Sequence, residues 1–262
     1  MRQPAKDFIK IMGELDRSKH QGEIFRDFCE LLYCALAKVA SPFEDQRDRL
    51  EAQYMEVVGR YRNKDDIRRM PELRDIALFE ISAGGCDFLG EVAGEMGVLN
   101  DRLGQFFTPF EVSRLMAEIN LTGIEKKIKE EGFVTVQEPA AGAGGMLIAV
   151  ADKVESLGFN LETSLWFEAV ELSASTFHMC YIQSAARGMA GRVIHGNSLT
   201  VETYTSAFTA AAHVFHAKNG PPFAKQQAAL KAAVAKEQEI KTARLIDMGE
   251  APPITGKQLS LF

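Results

Sequence analysis

The pattern that most constrains this chain begins after Gly132, where short β-rich segments alternate with helical ones. Three strands and two helices are predicted in the order βαβαβ, at residues 133–137, 145–157, 166–171, 174–187 and 192–195. This alternation predicts a parallel sheet with right-handed crossovers, so the fold class is α/β. Ligands of such sheets bind beyond the carboxyl ends of the strands. We therefore expect a site in the loops after Gln137, Glu171 and His195.

The remaining segments are assigned by periodicity and composition. Residues 1–100 carry apolar side chains at three- and four-residue steps, which predicts a helical N-terminal region. Residues 101–223 form the α/β domain. Residues 224–248 are rich in Ala, Lys, Gln and Glu and are predicted to form one helix, and residues 249–262 form a Gly- and Pro-containing linker with an apolar tail.

The composition excludes several classes of protein. With 46% hydrophobic and 25% charged residues, the 262-residue chain is typical of a globular protein and unlike a disordered or collagen-like one. The net charge of -6 provides no general positive field for a polyanion, so any binding of nucleic acid must be local or assisted. No signal sequence or membrane span is predicted, which favours a cytoplasmic protein. The four cysteines have no metal-binding spacing, so we expect reduced thiols and no metal site.

Residues 138–145, Glu-Pro-Ala-Ala-Gly-Ala-Gly-Gly, follow a predicted strand and open a predicted helix. Small residues let a ligand approach the backbone, and the N–H groups of a helix N-terminus face that ligand. A dinucleotide fingerprint requires glycine at the position of Leu147, which disfavours a nicotinamide-dependent oxidoreductase. This segment is therefore a candidate cofactor loop, and the alternative is a tight structural turn.

Two polar residues end the next predicted strands. Glu171 is placed to accept the hydrogen bonds of a ribose diol, and Asn197 to bond an adenine edge in the same cleft. The alternative for Glu171 is a solvent-facing acid at a strand end. For Asn197 the structural and the functional interpretations are about equally favoured.

Together these segments resemble the S-adenosylmethionine-dependent adenine-N6 DNA methyltransferases, the methylation subunits of type I restriction-modification systems and their small plasmid and phage relatives. Residues 104–109, Gly-Gln-Phe-Phe-Thr-Pro, are similar to the family motif that precedes the cofactor loop. Residues 138–145 are similar to its Asp-Pro-Ala-Ala-Gly-Ser-Gly-Gly loop, and residues 196–199 to its Gly-Asp/Asn-Ser/Thr-Leu motif.

The resemblance implies a Rossmann-like methyltransferase fold, S-adenosylmethionine as cofactor and DNA as substrate, and it admits a separate specificity subunit. It also implies that the segments Gln105 to Pro109 and Gly142 to Gly145 enclose the methionine end of the cofactor. The cofactor-binding residues that we predict are Gln105, Phe106, Thr108, Pro109, Glu138, Ala140, Gly142, Gly144, Gly145, Glu171 and Asn197.

The family's catalytic motif, Asn/Asp-Pro-Pro-Tyr/Phe, has an irregular counterpart in Asn219-Gly220-Pro221-Pro222-Phe223. In such a motif the Asn accepts amine hydrogens of a flipped adenine and the aromatic ring stacks on the base. The extra glycine moves the Asn oxygen by up to about 3.5 Å. We predict that Asn219, Pro221, Pro222 and Phe223 carry catalysis. The alternative is a catalytically silent module of the same fold that acts in DNA maintenance or anti-restriction.

A complete fold of this family continues with further strands and, usually, a target-recognition segment. About 43 residues follow Asn219, and half of them are predicted as one helix. The sheet is therefore expected to be truncated or completed by a partner.

The tail, Gln258-Leu259-Ser260-Leu261-Phe262, is similar to the peptide with which many bacterial proteins dock to the replicative sliding clamp. In that interpretation Leu261 and Phe262 enter an apolar pocket and Gln258 fixes the register. The alternative is an apolar end that folds onto the preceding helix.

Overall fold

The computed structural model describes residues 1–98 and 107–247. Its elements in chain order are α1 Gln3–Glu14, α2 Gln21–Ala40, α3 Glu44–Gly59, α4 Lys64–Ala83, α5 Phe88–Glu95, α6 Phe110–Asn120, α7 Ile124–Glu131, β1 Val134–Glu138, α8 Gly145–Ser156, α9 Leu161–Ser164, β2 Leu165–Glu171, α10 Ala174–Ala186, β3 Ala190–Asn197, β4 Glu202–Phe208, α11 Ala211–Asn219 and α12 Ala224–Asp247. Within these residues no helix is both long and apolar enough to span a membrane.

The helices that precede the sheet form because their apolar residues lie on one face. In α2, Phe25, Phe28 and Leu32 recur at three- and four-residue steps and are buried. Phe8 of α1 packs edge to face against Phe28 and against Phe88 of α5, with ring-centroid distances of 5.2 and 5.6 Å. Aromatic contacts therefore join α1, α2 and α5.

These helices and the sheet share one hydrophobic core. Its buried residues run from Ala5 in α1 to Ala207 in β4. The chain divides into a first unit, Met1–Asn219, and a second unit, Gly220–Phe262. The predicted boundary near residue 100 lies inside the first unit, because the N-terminal helices pack on the sheet and have no separate core.

The three strands predicted from the alternating pattern form a parallel sheet in the order β1-β2-β3, which confirms the α/β class. The register pairs Val134 with Leu165 and Trp166 with Ala190. The predicted strand bounds differ from the observed ones by at most two residues. Because the strands are parallel, their carboxyl ends at Glu138, Glu171 and Asn197 lie at one edge of the sheet.

A fourth strand, β4, is absent from the sequence-based prediction. It pairs antiparallel with β3 at the edge of the sheet. Residues 202–205 are exposed, so the strand lacks the alternating burial that makes periodicity visible in a sequence. Its close approach depends on Gly196, since a Cβ at that position would lie 2.3 Å from the carbonyl oxygen of Glu202.

The second unit contains α12, Ala224–Asp247, where the composition predicts a helix. Its first turn is joined to the preceding prolines, because the Ala224 amide donates to the Pro221 carbonyl at 3.2 Å. The predicted linker and tail, residues 249–262, lie outside the described residues.

Candidate functional site

The loop between β1 and α8 adopts a conformation that requires glycine. Gly142 and Gly144 have φ angles of +55° and +97°, which side-chain-bearing residues rarely adopt. The amide of Ala141 donates to the carbonyl of Val170 in β2 at 2.9 Å, and the amide of Gly144 donates to Ala141 at 2.9 Å. The loop is thus a tight turn anchored to the neighbouring strand, with the N-terminus of α8 directly behind it.

Space is tight around Gly142 and Gly145, and at Gly144 a side chain would come into contact with Cys180. A Cβ on Gly142 would lie 3.3 Å from the Phe107 ring, and one on Gly144 would lie 3.4 Å from the Cys180 sulfur. A Cβ on Gly145 would lie 2.8 Å from the Asp87 carboxylate. The backbone conformation and the neighbouring atoms therefore both favour glycine in this loop.

Glu171, the predicted ribose acid, lies within hydrogen-bond distance of the loop. One carboxylate oxygen accepts from the Gly142 amide at 2.9 Å, and the other accepts from the Ser173 amide at 2.8 Å. The structure therefore brings Glu171 and Gly142 together across 29 residues of sequence. Each carboxylate oxygen has a second lone pair, which leaves the group able to accept hydroxyl hydrogens.

Asn197 ends β3 and forms a turn of its own. Its side-chain oxygen accepts from the amides of Leu199 at 2.9 Å and Thr200 at 3.3 Å. Leu199 is 92% exposed at the same edge of the sheet as Glu171. Asn197 thereby shapes the loop after β3.

Two buried polar residues, Gln183 and Asp87, support the candidate cofactor loop. Sequence reasoning missed both of them. Gln183 of α10 is fully buried, and its amide nitrogen donates to the Ala143 carbonyl and to the Asp87 carboxylate, both at 2.7 Å. Its side-chain oxygen accepts from the Leu89 amide at 3.1 Å. Asp87 also caps α5 by accepting from the Gly90 amide at 2.9 Å. The one sequence signal was an Asp before an apolar run, which marks a helix N-terminus and nothing more.

A cavity of about 270 Å³ lies beside the loop. Its wall includes Asp87, Thr108, Ser113, Glu138 and Gly142. Among the described residues that line it there are two carboxylates and no basic side chain. Burial raises the pKa of Asp87, and hydrogen bonds from neutral donors oppose that rise.

The other predicted cofactor residues are placed as follows. Glu138 lies at the end of β1, and its carboxylate accepts from the Ala140 amide at 3.1 Å. Thr108 lines the cavity and Pro109 is the N-cap of α6. Gln105 and Phe106 lie outside the described residues.

Asn219, the predicted catalytic amide, lies away from this cavity. It is the last residue of α11, and its side-chain nitrogen donates to the Thr163 carbonyl at 2.9 Å. Thr163 precedes β2, so Asn219 lies near the amino end of the sheet. The seven residues of β2 separate that end from Glu171 by about 20 Å. The structure does not bring Asn219 together with the cofactor loop.

The extra glycine of the predicted catalytic motif has a structural role. Gly220 follows the last residue of α11 with a φ of +71°, the conformation in which many helices end. Pro221, Pro222 and Phe223 follow in the second unit.

Elsewhere in the first unit a larger cavity of about 890 Å³ lies between α2, α3 and the β3–β4 edge. Two of the acids that line it, Asp27 and Glu30, form ion pairs with Arg60 at 3.0 and 3.2 Å. The described residues contain no cluster of His, Cys, Asp and Glu able to hold a metal ion.

The family described as N-6 DNA Methylase matches residues 88–259. No curated protein matches the chain. One similar structure is described as a class I S-adenosylmethionine-dependent methyltransferase from Listeria monocytogenes, with 14% identity and a TM-score of 0.39 over 78% of this chain and 56% of that chain.

A second similar structure is a type I restriction-modification system methyltransferase subunit from Streptococcus thermophilus, with 13% identity and a TM-score of 0.43 over 78% of this chain and 59% of that chain. The chain thus spans less than two thirds of the length of either structure. The family match, by contrast, extends over about two thirds of this chain and includes β1, the cofactor loop, Glu171 and Asn197. The chain therefore belongs to the N-6 DNA methylase family.

Proposed function

We propose that this chain binds S-adenosylmethionine beyond the carboxyl ends of β1, β2 and β3, and that it serves in methyl transfer to adenine N6 in DNA. The observation that carries the proposal is the hydrogen bond between the Gly142 amide and the Glu171 carboxylate. It joins the family's glycine loop to the acid placed to accept a ribose diol.

The residues present fit this cofactor. Cβ atoms on Gly142, Gly144 or Gly145 would fill the space against Phe107, Cys180 and Asp87, so the glycines keep the backbone accessible. Glu171 is the acceptor for the ribose, and Asn197 shapes the turn beside the adenine. When bound, S-adenosylmethionine supplies an electrophilic methyl group on a sulfonium.

Methyl transfer also needs an acceptor for the amine hydrogens of adenine. Asn219 at its observed position does not meet that need, because about 20 Å separate the two ends of β2. In the proposed enzyme an Asn-Pro-Pro-Phe-type loop must therefore reach the cofactor edge, either by movement of Asn219, Pro221, Pro222 and Phe223 or from a partner.

A second candidate is a catalytically silent module that binds the cofactor and acts in DNA maintenance or anti-restriction. The position of Asn219 at the amino end of the sheet favours it. Gly220 favours it also, because a helix-ending glycine separates Asn219 from the prolines.

Calorimetry and a methyl-transfer assay test both candidates. Wild type should bind S-adenosylmethionine. Gly144→Val should lose binding, because valine is strained at a φ of +97° and its methyl groups extend beyond a Cβ that already contacts the Cys180 sulfur at 3.4 Å. Gly158→Val is the matched control, since Gly158 also has a positive φ, +83°, but has open space around it. Absence of binding in wild type, or equal binding in Gly144→Val, contradicts the cofactor site.

Radiolabelled methyl on adenine N6 of DNA that disappears in Asn219→Ala supports the enzyme. Binding without transfer supports the silent module. Transfer that persists in Asn219→Ala assigns catalysis to other residues.

The partners of the chain are proposed on the same basis. DNA is the expected substrate, in the cytoplasm, and a separate specificity subunit would supply sequence recognition. The tail, Gln258, Leu259, Ser260, Leu261 and Phe262, is proposed to dock to a replicative sliding clamp, which would raise the local concentration of DNA for a chain of net charge -6. A peptide of this sequence should bind purified clamp, and replacement of Leu261 and Phe262 by Ala should remove binding. Equal binding of both peptides contradicts the docking role.

A further inference from the structure

Asp87 is a buried carboxylate whose described partners are neutral. It is 8% exposed, and one oxygen, Oδ1, accepts from the Gly90 amide at 2.9 Å and from the Gln183 side chain at 2.7 Å. No basic side chain of the described residues forms an ion pair with it. In its ionised form Asp87 is therefore held by hydrogen bonds alone, without a neutralising cation among those residues.

The second oxygen, Oδ2, lies beside the cofactor loop. A Cβ built on Gly145 would lie 2.8 Å from it, so this oxygen faces the first residue of α8 at the cavity wall. Burial raises the pKa of Asp87, which means that the carboxylate is poorly solvated there. A cation in the cavity would therefore gain a strong, charge-assisted partner.

A second group in the same cavity lacks a partner. Ser113 of α6 is 1% exposed, and its hydroxyl is buried with no hydrogen-bond partner among the described residues. Buried hydroxyls are nearly always bonded, because an unsatisfied one costs free energy. Since Ser113 lines the cavity with Asp87, a ligand oxygen there would satisfy it.

The chemistry of the cavity matches a zwitterion. Asp87 and Glu138 accept an ammonium, while the Ser113 hydroxyl and the N–H groups at the start of α8 donate to a carboxylate. Its volume of about 270 Å³ has room for the amino-acid part of such a ligand. The nucleoside is left to the edge at Glu171 and Asn197.

We infer that Asp87 binds the ammonium and Ser113 the carboxylate at the amino-acid end of S-adenosylmethionine. This inference rests on the proposed function and adds two binding residues from outside the glycine loop. The competing explanation is that Asp87 only caps α5 and holds Gln183.

Two ligands that differ only in the amino-acid part separate these explanations. Both S-adenosylhomocysteine and 5′-methylthioadenosine contain adenosine and a neutral thioether, but only the first carries the ammonium and carboxylate. Asp87→Asn keeps the oxygen that accepts from Gly90 and Gln183 and removes the charge. Calorimetry on the full chain should show affinity for S-adenosylhomocysteine reduced about ten- to a hundredfold in Asp87→Asn, with affinity for 5′-methylthioadenosine unchanged.

Ser113→Ala should lower the affinity for S-adenosylhomocysteine about threefold to tenfold and leave the affinity for 5′-methylthioadenosine unchanged. The matched control is Ser184→Ala, which removes a hydroxyl that is equally buried, at 1% exposure, and does not line the cavity. This control should bind both ligands as wild type does.

The inference is overturned if Asp87→Asn loses affinity for both ligands equally, or keeps its affinity for both. Either result leaves the proposed function intact. If Asp87→Asn does not fold, the Ser113→Ala variant provides the test. The inference is then overturned if Ser113→Ala binds S-adenosylhomocysteine with the affinity of wild type. Failure of wild type to bind either ligand contradicts the proposed function itself.

Discussion

His178 shows how one residue ties the stability of the core to pH. It is 8% exposed, and its ring stacks on Tyr33 at a centroid distance of 4.7 Å. Burial, together with the nearby His195, lowers the pKa of His178 from 6.5 to about 4. In the unfolded chain His178 takes up a proton below about pH 6.5, whereas in the folded chain it resists protonation until about pH 4. Stability is therefore lost as pH falls through this window.

This shift predicts a measurable loss of stability in acid. Between pH 7 and pH 5 the contribution of His178 to the free energy of unfolding should fall by about 2 kcal/mol. In His178→Phe, which keeps a ring against Tyr33, the corresponding fall should be smaller by that amount. Urea unfolding at the two pH values measures it. Identical pH dependence in the variant and in wild type would show that other groups carry the acid sensitivity.

At the scale of elements, the contact between α11 and α9 is made in part by Asn219. Its amide donates to the Thr163 carbonyl at 2.9 Å, so the residue ties the end of α11 to the segment before β2. The predicted catalytic role would place Asn219 near the carboxyl end of β2, where the cofactor is proposed to bind. The observed hydrogen bond places it near the amino end of that strand.

We predict that Asn219→Ala lowers the free energy of unfolding by about 1 kcal/mol, because one partly buried hydrogen bond is lost. The same variant should bind S-adenosylhomocysteine as wild type does, since β2 separates Asn219 from the cofactor loop. Thermal melting and calorimetry measure the two quantities. A large loss of affinity without a change in melting temperature would place Asn219 at the cofactor after all.

At the scale of the whole molecule, the core and the proposed cofactor cleft both lie in the first unit. The buried core ends at Ala207, and the cleft residues Asp87, Gly142, Glu171 and Asn197 all precede Asn219. The described side chains of α12 are exposed, and they contribute no member of that core.

We predict that a chain of residues 1–219 unfolds cooperatively and binds S-adenosylhomocysteine with an affinity within about threefold of that of the full chain. The reason is that every described contact of the loop, including the pairs Gly142–Glu171 and Ala143–Gln183, is made within the first unit. Chemical denaturation and calorimetry on both chains test this. A truncated chain that folds but does not bind would assign part of the site to the second unit.

The sequence by itself determined the parallel strands, the glycine turn after β1 and the acid at the end of β2. These features have local signals, because strand periodicity, small residues at a turn and a polar residue at a strand end are each readable within a few positions. The carboxyl ends of parallel strands must then meet at one edge, which is why Glu171 and Gly142 were predicted together and are bonded.

Tertiary structure alone decided where the long-range partners lie. Gln183 and Asp87 are 96 residues apart and meet only because α10 and α5 pack on the same loop. Ser113 becomes a candidate binding residue only because its buried hydroxyl lacks a partner among the described residues. The hydrogen bond to Thr163 shows that Asn219 lies near the amino end of β2, which its place in the sequence does not reveal. Such contacts depend on how helices pack around the sheet, and that packing is a sum of many weak apolar contacts with no short sequence signature.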